Sequence, residues 1–377
     1  MQQLNLLLVS CALLVLLSWL APHRFQIPVI SIGTAVFLAY FAPKSFVILS
    51  ISTTLTFGVF KLKIKTKWAA LLAICLSLCY LVFYKIGMGR ETLSSLDRLV
   101  PLGLSYYAFR QIHYALEMYK DKLPQHTFFD YINYLFFLPT ILIGPIHRFE
   151  PFMRNAYRRR WDSMLFSEGL ERVLYGYVKI VIINNYLISV LLFQQISNIG
   201  SSSIWLGTYL RVFSYTLETY ILFSGFSDVA VGLALMMGFR VMENFNYPFF
   251  APNINEFWNR WHISLTSWCK DYIFIPISSF TRKPILGIIS TMLVIGLWHE
   301  ISWRYLVWGA FHGLGIACWH IYNRTAMAKA LTKRSSVLRI GSIIITFHFV
   351  MVSFVLIREV DMANVINTLK ILFTTNY

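Results

Sequence analysis

The chain has 377 residues, 57% of them hydrophobic and only 13% charged, with a mean hydropathy of +0.60. Charged residues run at about half the usual quarter, so the chain cannot clothe a globule in polar surface; its apolar excess must face lipid, which excludes a soluble enzyme. The 33 Lys and Arg against 17 Asp and Glu give a net charge of +16, but the excess is scattered in loop clusters such as Lys61, Lys63, Lys65 and Lys67. Such clusters suit the cytoplasmic membrane face and its anionic headgroups, whereas nucleic-acid binding needs a continuous basic face and is not expected.

Apolar runs long enough to span hydrocarbon open the chain at residues 4–20, 27–42, 46–60 and 68–86. The first reads as a retained span, because residues 1–5 lack a basic region and no small-residue cleavage site follows Leu20. Residues 100–119 differ in carrying Arg110, His113 and Glu117 among apolar neighbours. A charge at mid-bilayer costs about 2.5 to 3.5 kcal/mol on insertion scales, so this stripe should face protein or a water-filled cavity. With the lysine cluster and Arg154, Arg158, Arg159 and Arg160 both cytoplasmic, the N-terminus is expected outside. Residues 128–146, broken by Pro139 and Gly144-Pro145, then form a re-entrant hairpin.

Further spans are expected at residues 170–193, 204–223, 284–297, 303–319 and 338–356, for a total near ten or eleven. Asp228 lies in an apolar segment with Gly225, Gly232 and Gly238; it either pairs with an arginine, caps a helix start, or serves chemistry. The five cysteines sit in or beside apolar stretches as small hydrophobes, so no disulfide framework is expected, and Cys75 and Cys79 have no neighbouring His or carboxylate to make a metal site.

Two stretches carry most of the chemistry. Residues 255–275 read NEFWNRWHISLTSWCKDYIFI. One reading is an interfacial helix with Trp258, Trp261 and Trp268 at headgroup depth and Arg260 and Lys270 among phosphates. Against it, His262, Ser264, Thr266 and Asp271 place polar groups where an anchor needs apolar ones. Residues 284–299 form an apolar helix ending in GLWHE, which sets His299 beside Trp298 and Glu300. An imidazole exchanges a proton near neutrality and is a natural general base; the alternative is a hydrogen-bonded core histidine. The HExxH zinc pattern fails because Trp303 stands where its second His belongs, and a cluster of His312 and His320 on the next helix is only geometrically allowed, so no metal is expected.

The run FSGFSDVAVGLALMMGFRVMENFNYPFFAPNINEFWNRWHISLTSWCKDYIFIPI, with LPTILIGPIHRF before it and GLWH and WGAFHG after it, resembles the membrane-bound O-acyltransferases. The similarity is to the bacterial branch that holds alginate O-acetyltransferase and the teichoic-acid D-alanyltransferase, and it covers residues 101–313. It implies an all-α polytopic membrane fold, a ring of helices around a thinned centre with re-entrant and interfacial helices. The chain would be a single embedded domain over 1–377, with N-terminal helices in 1–98, the catalytic core in 99–320 and a C-terminal segment with the last helix in 321–377.

By position, His299 matches the family's catalytic histidine and His262 its second, tunnel histidine. Trp298, Trp261, Arg260, Ser264, Asp271, Tyr272, His312 and Asp228 are expected to line the tunnel or substrate site. The sequence departs from the branch at Glu300, where glycine usually follows the catalytic histidine, and at Ser278-Ser279, where a Gly-Gly pair is common.

The resemblance implies a multi-pass enzyme of the bacterial inner membrane with no bound cofactor. It would move an acyl group, acetyl first and D-alanyl next, from acetyl-CoA or an acyl-carrier protein on the cytoplasmic side to a hydroxyl of an extracytoplasmic glycan or envelope polymer. One alternative hands the acyl group to a periplasmic or membrane partner protein. Another class, a transporter or flippase with Asp228, Arg110 and Glu117 along its pathway, would show paired halves, and the sequence has no internal symmetry.

Overall fold

A computed structural model describes residues 2–85, 100–141, 144–200, 203–325 and 336–374. The expected boundary at residues 98–99 and the middle of the LPTILIGPIHRF motif lie outside them. Among the described residues the regular structure is helical, apart from one antiparallel bridge between Phe245 and Trp261. Among the described residues, five helices are long and apolar enough, by length and composition, to cross a membrane: His23–Phe41, Thr66–Phe83, Ser163–Gly200, Ile204–Met236 and Val337–Arg358. Leu4–Leu20, Pro284–His299 and Met362–Phe373 are shorter apolar helices.

The first compact unit comprises Met1–Tyr177 and Gly225–Met242. It begins with α1 (Gln2–Leu20), α2 (Gln26–Phe41), α3 (Pro43–Val59) and α4 (Thr66–Lys85), followed by α5 (Val100–Tyr119). Pro43 opens α3 where its missing N–H is harmless. In place of one crossing, the 128–146 region holds two short helices, α6 (Phe128–Leu135) and α7 (Leu138–Ile141). A capping box starts α6: the Thr127 hydroxyl accepts from the Asp130 amide while Asp130 accepts from the Thr127 amide. Next come α8 (Phe149–Tyr157) and α9 (Ser163–Val178).

Helix α9 packs on the C-terminal part of α11 (Ile204–Met236) through glycines in matched register. A Cβ at Gly169 would lie 2.6 Å from the Gly232 carbonyl oxygen, and one at Gly176 2.6 Å from that of Gly225. Between these two contacts Arg172 Nε donates to Asp228 Oδ1 at 2.7 Å. Asp228 is therefore an interhelical ion-pair partner, with small residues on either side bringing the backbones close. Helix α11 ends at Gly238, whose φ of +82° permits the closing bonds from the Gly238 and Phe239 amides to the Leu235 and Ala234 carbonyls.

Within the basic cluster of residues 154–160, Arg159 is turned into the protein. It is 3% exposed, and Nε donates to the Met237 carbonyl at 2.7 Å. Its terminal nitrogens donate to Ser18 Oγ at 2.7 Å, the Ser18 carbonyl at 3.3 Å and Gln26 Oε1 at 2.5 Å, and the guanidinium stacks on Trp19. One buried cation thus ties α1 and α2 to the end of α11, its charge spread over carbonyl dipoles.

The second unit comprises Val178–Ser224 and Glu243–Tyr377. It opens with a π-helical stretch, Lys179–Leu192, that leads into α10 (Phe193–Gly200). After α11 the unit contains α12 (Ile254–Arg260), α13 (Ile263–Cys269), α14 (Ile275–Thr281), α15 (Pro284–His299), α16 (Trp303–Tyr322), α17 (Ser336–Arg358) and α18 (Met362–Phe373). Helices α15 and α16 also meet at glycines. A Cβ at Gly309 would stand 2.5 Å from the Met292 carbonyl oxygen, and one at Gly296 would run into the Tyr305 carbonyl.

Candidate active site

The 255–275 stretch is not one interfacial helix. It breaks at Trp261 and His262, where the backbone leaves α12 and His262 adopts φ +45°, the left-handed region that a side chain with a Cβ visits at a cost. A distant segment holds the break open: the Asn246 amide donates to the Arg260 carbonyl at 3.0 Å and the Ile263 amide to the Asn244 carbonyl at 2.9 Å. Asn244 Oδ1 then accepts from the Ser264 hydroxyl at 2.6 Å. Trp258, Trp261 and Trp268, expected at headgroup depth, are 5%, 9% and 5% exposed and pack in the protein interior. Burial of indole against indole and Phe, as in the stack of Trp261 on Phe257 at 5.5 Å, outweighs anchoring here.

His262 is turned inward by this break. Its ring lies 4.8 Å from Phe223 and 6.1 Å from Trp298, centroid to centroid. Burial, reinforced by the neighbouring His299, pushes the imidazole down to about 3, so His262 stays neutral at physiological pH. Trp298 continues the contact to His299 at 4.4 Å; His299 meets Trp308 edge-on at 5.6 Å, and Trp308 meets His312 at 4.7 Å. Three histidines are thereby joined through two indoles, with the α15–α16 glycine contact fixing the relation of His299 to Trp308 and His312.

The histidines differ in what their nitrogens can do. His312 is buried with both nitrogens committed: the Trp258 indole N–H donates to Nδ1 at 3.3 Å, and Nε2 pairs with Ser353 Oγ at 2.9 Å. An indole can only donate, so Nδ1 is the acceptor and Nε2 carries the hydrogen; Ser353 passes its own hydrogen to the Val350 carbonyl at 2.6 Å. This is a neutral imidazole locked in one tautomer. His299, the last residue of α15, is exposed, with Tyr305 stacked on it at 5.8 Å. Glu300 turns away to Arg304, at 3.2 and 3.3 Å from its two carboxylate oxygens.

Residues 53–357 match the family described as MBOAT, membrane-bound O-acyltransferase. The chain belongs to this family. It is 33% identical over 306 residues to the Pseudomonas aeruginosa protein named "Probable alginate O-acetylase AlgI", covering 76% of this chain and 57% of that protein. It is 29% identical to the teichoic acid D-alanyltransferase of Bacillus subtilis, over 67% of each chain. To the peptidoglycan O-acetyltransferase of Helicobacter pylori it is 26% identical, over 73% of this chain and 57% of that one. The match spans between 44% and 60% of the length of the alginate relatives.

Of the residues singled out in the sequence of this family member, the structure gathers His299, Trp298, His262 and His312 into one ring-to-ring cluster, with Trp261 next to it against Phe223 at 6.5 Å. Ser264 supports the His262 turn through Asn244. Arg260 lies 3.5 Å from Glu256 in an ion pair one helical turn away. Tyr272 packs on Trp268 at 5.0 Å, and Asp271 is exposed in the π-helical turn Lys270–Phe274. Asp228 belongs to the first unit, with Arg172. Sequence reasoning missed Trp308, Tyr305, Ser353 and Asn244, and read Trp258 only as a headgroup anchor. Trp308 had a signal, since it opens the WGAFHG motif four residues before His312; Ser353 and Asn244 had none.

Proposed function

We propose that the chain is an O-acyltransferase that moves an acyl group from a cytoplasmic thioester to a hydroxyl of an extracytoplasmic cell-envelope polymer, with His299 as general base. The observation that carries this reading is the exposed imidazole at the end of α15, beside two ring-linked histidines that are buried. His299 takes the proton of the acceptor hydroxyl as its oxygen attacks the thioester carbonyl. Collapse of the tetrahedral intermediate breaks the carbon–sulfur bond, and the departing thiolate recovers the proton from the imidazolium, so the ring returns to its starting state. Trp298, Tyr305 and Trp308 flank the imidazole with apolar faces, and a bound acceptor covering its open side would keep water from competing for the activated acyl group. His262, neutral and held by a strained turn, positions the donor or the intermediate.

Acetyl from acetyl-CoA or a carrier is the first choice of acyl group, and D-alanyl from a carrier protein the second, since relatives with both names match. No bound cofactor is needed for either. Transfer is placed in the bacterial inner membrane and made directly to the polymer; a partner protein that receives the acyl group is the second route.

The test uses the full chain in proteoliposomes, with radiolabelled acetyl-CoA or D-alanyl carrier protein on one side and polymannuronate, teichoic acid or peptidoglycan on the other. Alkali-labile label on a polymer with one donor is the expected result and names the acyl group. Absence of label with every donor–acceptor pair, added envelope proteins included, would overturn the reading.

A further inference from the structure

A second site stands in the first unit, around Arg110 of α5. The residue is 1% exposed, and none of its three guanidinium nitrogens has a hydrogen-bond partner among the described residues. An arginine keeps its proton under any biological condition, so burial cannot neutralise it as it does a lysine or histidine. The neighbours are phenols: Arg110 lies over the Tyr107 ring at 5.5 Å, and Tyr134, Tyr80 and Tyr131 are within electrostatic range. Three of the four hydroxyls are committed elsewhere. Tyr80 donates to Gln111 Oε1 at 3.0 Å, Tyr107 bonds with Thr53 and the Leu49 carbonyl, and Tyr134 donates to the His147 carbonyl at 3.1 Å. The fourth, Tyr131, is fully buried and unpartnered.

The contrast with Arg159 defines the problem. Both guanidiniums are buried in the same unit, but Arg159 has four acceptors and Arg110 has none. An unpaired cation in an apolar surround is strongly destabilising, and the usual remedies are an opposite charge or a full set of acceptors. Five guanidinium N–H groups and one phenolic O–H are left unpaired within electrostatic range of one another. A carboxylate offers two oxygens with about four lone-pair directions, while a phosphate ester offers more oxygens and the same charge, matched to the guanidinium fork.

We propose that Arg110 and Tyr131 form a buried phosphate-binding site in the first unit, filled either by a phospholipid headgroup or by a soluble phosphate. The inference does not rest on the acyl-transfer reading, because it involves neither His299 nor the second unit. The bound phosphate acts as the acceptor that α5 lacks, so occupancy stabilises the packing of the helix that carries Arg110, Gln111 and His113.

The test is thermal unfolding of the full chain, purified in detergent and delipidated, with inorganic phosphate or short-chain phosphatidylglycerol titrated in at constant ionic strength. The wild type is expected to rise in Tm along a saturable curve with one of the two, and the probe that works at the lower concentration names the source. Arg110→Met removes the charge at similar length. It is expected to lose the response and, without ligand, to unfold at the same temperature as the empty wild type or a higher one. Tyr131→Phe keeps the fold and the charge and is expected to weaken the apparent Kd several-fold, which keeps the proposal testable if Arg110→Met does not fold. A wild type indifferent to both probes, or a response unchanged in Tyr131→Phe and in any folded Arg110→Met, would overturn the site.

Discussion

Both units bury polar side chains in apolar surroundings, but they satisfy them differently. The first uses hydroxyls, amides and carbonyls: Ser52, Ser77 and Tyr80 all donate to Gln111 Oε1, and Arg159 is wrapped in carbonyls. The second sets imidazoles between indoles, with the buried His312 bonded at both nitrogens. In the first unit the Arg110 guanidinium and the Tyr131 hydroxyl are buried without partners among the described residues, and in the second the ring cluster ends on the exposed His299. The satisfied Arg159 marks architecture, the unpaired groups around Arg110 mark where a ligand would complete the first unit, and the exposure of His299 marks where a substrate can reach the second.

The comparison is broken hardest by removing a fully satisfied group. Arg159→Ala is expected to lower stability by about 2 to 5 kcal/mol, because it strips the Met237 and Ser18 acceptors of their donor and empties the space under Trp19. Thermal unfolding in detergent reads the loss, and a variant as stable as the wild type would contradict the structural role. Gly309→Ala comes next. Its Cβ would press on the Met292 carbonyl and force α15 from α16, at about 1 to 3 kcal/mol, with a loss of acyl transfer beyond that expected from stability alone because Trp308 moves against His299. Equal activity per folded molecule would show that the α15–α16 contact does not set the site.

Ser353→Ala leaves the His312 Nε2 hydrogen without its acceptor and is expected to cost about 1 to 3 kcal/mol while the transfer rate of the folded protein holds. The smallest effect is that of Glu300→Gln. Its carboxylate serves Arg304 on a partly exposed surface, where such a pair contributes about 0 to 1 kcal/mol. The acidic limb of the pH–rate profile is expected to stay in place; a downward shift would show that the Glu300 carboxylate raises the basicity of His299.

What the sequence made legible follows the range of the forces involved. Helices set by local apolar runs and proline starts, such as α3 and α15, lie within a few residues of expectation. The Asp228 ion pair was foreseeable in kind, since an intramembrane carboxylate needs a cation, but Arg172 lies 56 residues away and nothing local names it. The break at His262 was illegible because the segment that holds it, 244–246, pairs with it from outside the helical pattern. Arg159 sits in a basic run that reads as a loop, and its acceptors are 78 to 141 residues distant. His299 and His262 were picked out by motif, yet the exposure that separates His299 from the buried His262 and His312 exists only in three dimensions.

The central claim is that His299 reacts while His312 holds the fold, and one paired measurement tests it directly: single-turnover acyl transfer in proteoliposomes, with thermal unfolding on the same preparations, for His299→Ala and His312→Ala. The account predicts a loss of about 10² to 10⁴-fold in rate for His299→Ala with an unchanged unfolding temperature, and for His312→Ala a lowered unfolding temperature with a far smaller loss of rate. A His299→Ala protein that turns over at the wild-type rate, or one that loses activity only because it unfolds, would contradict it.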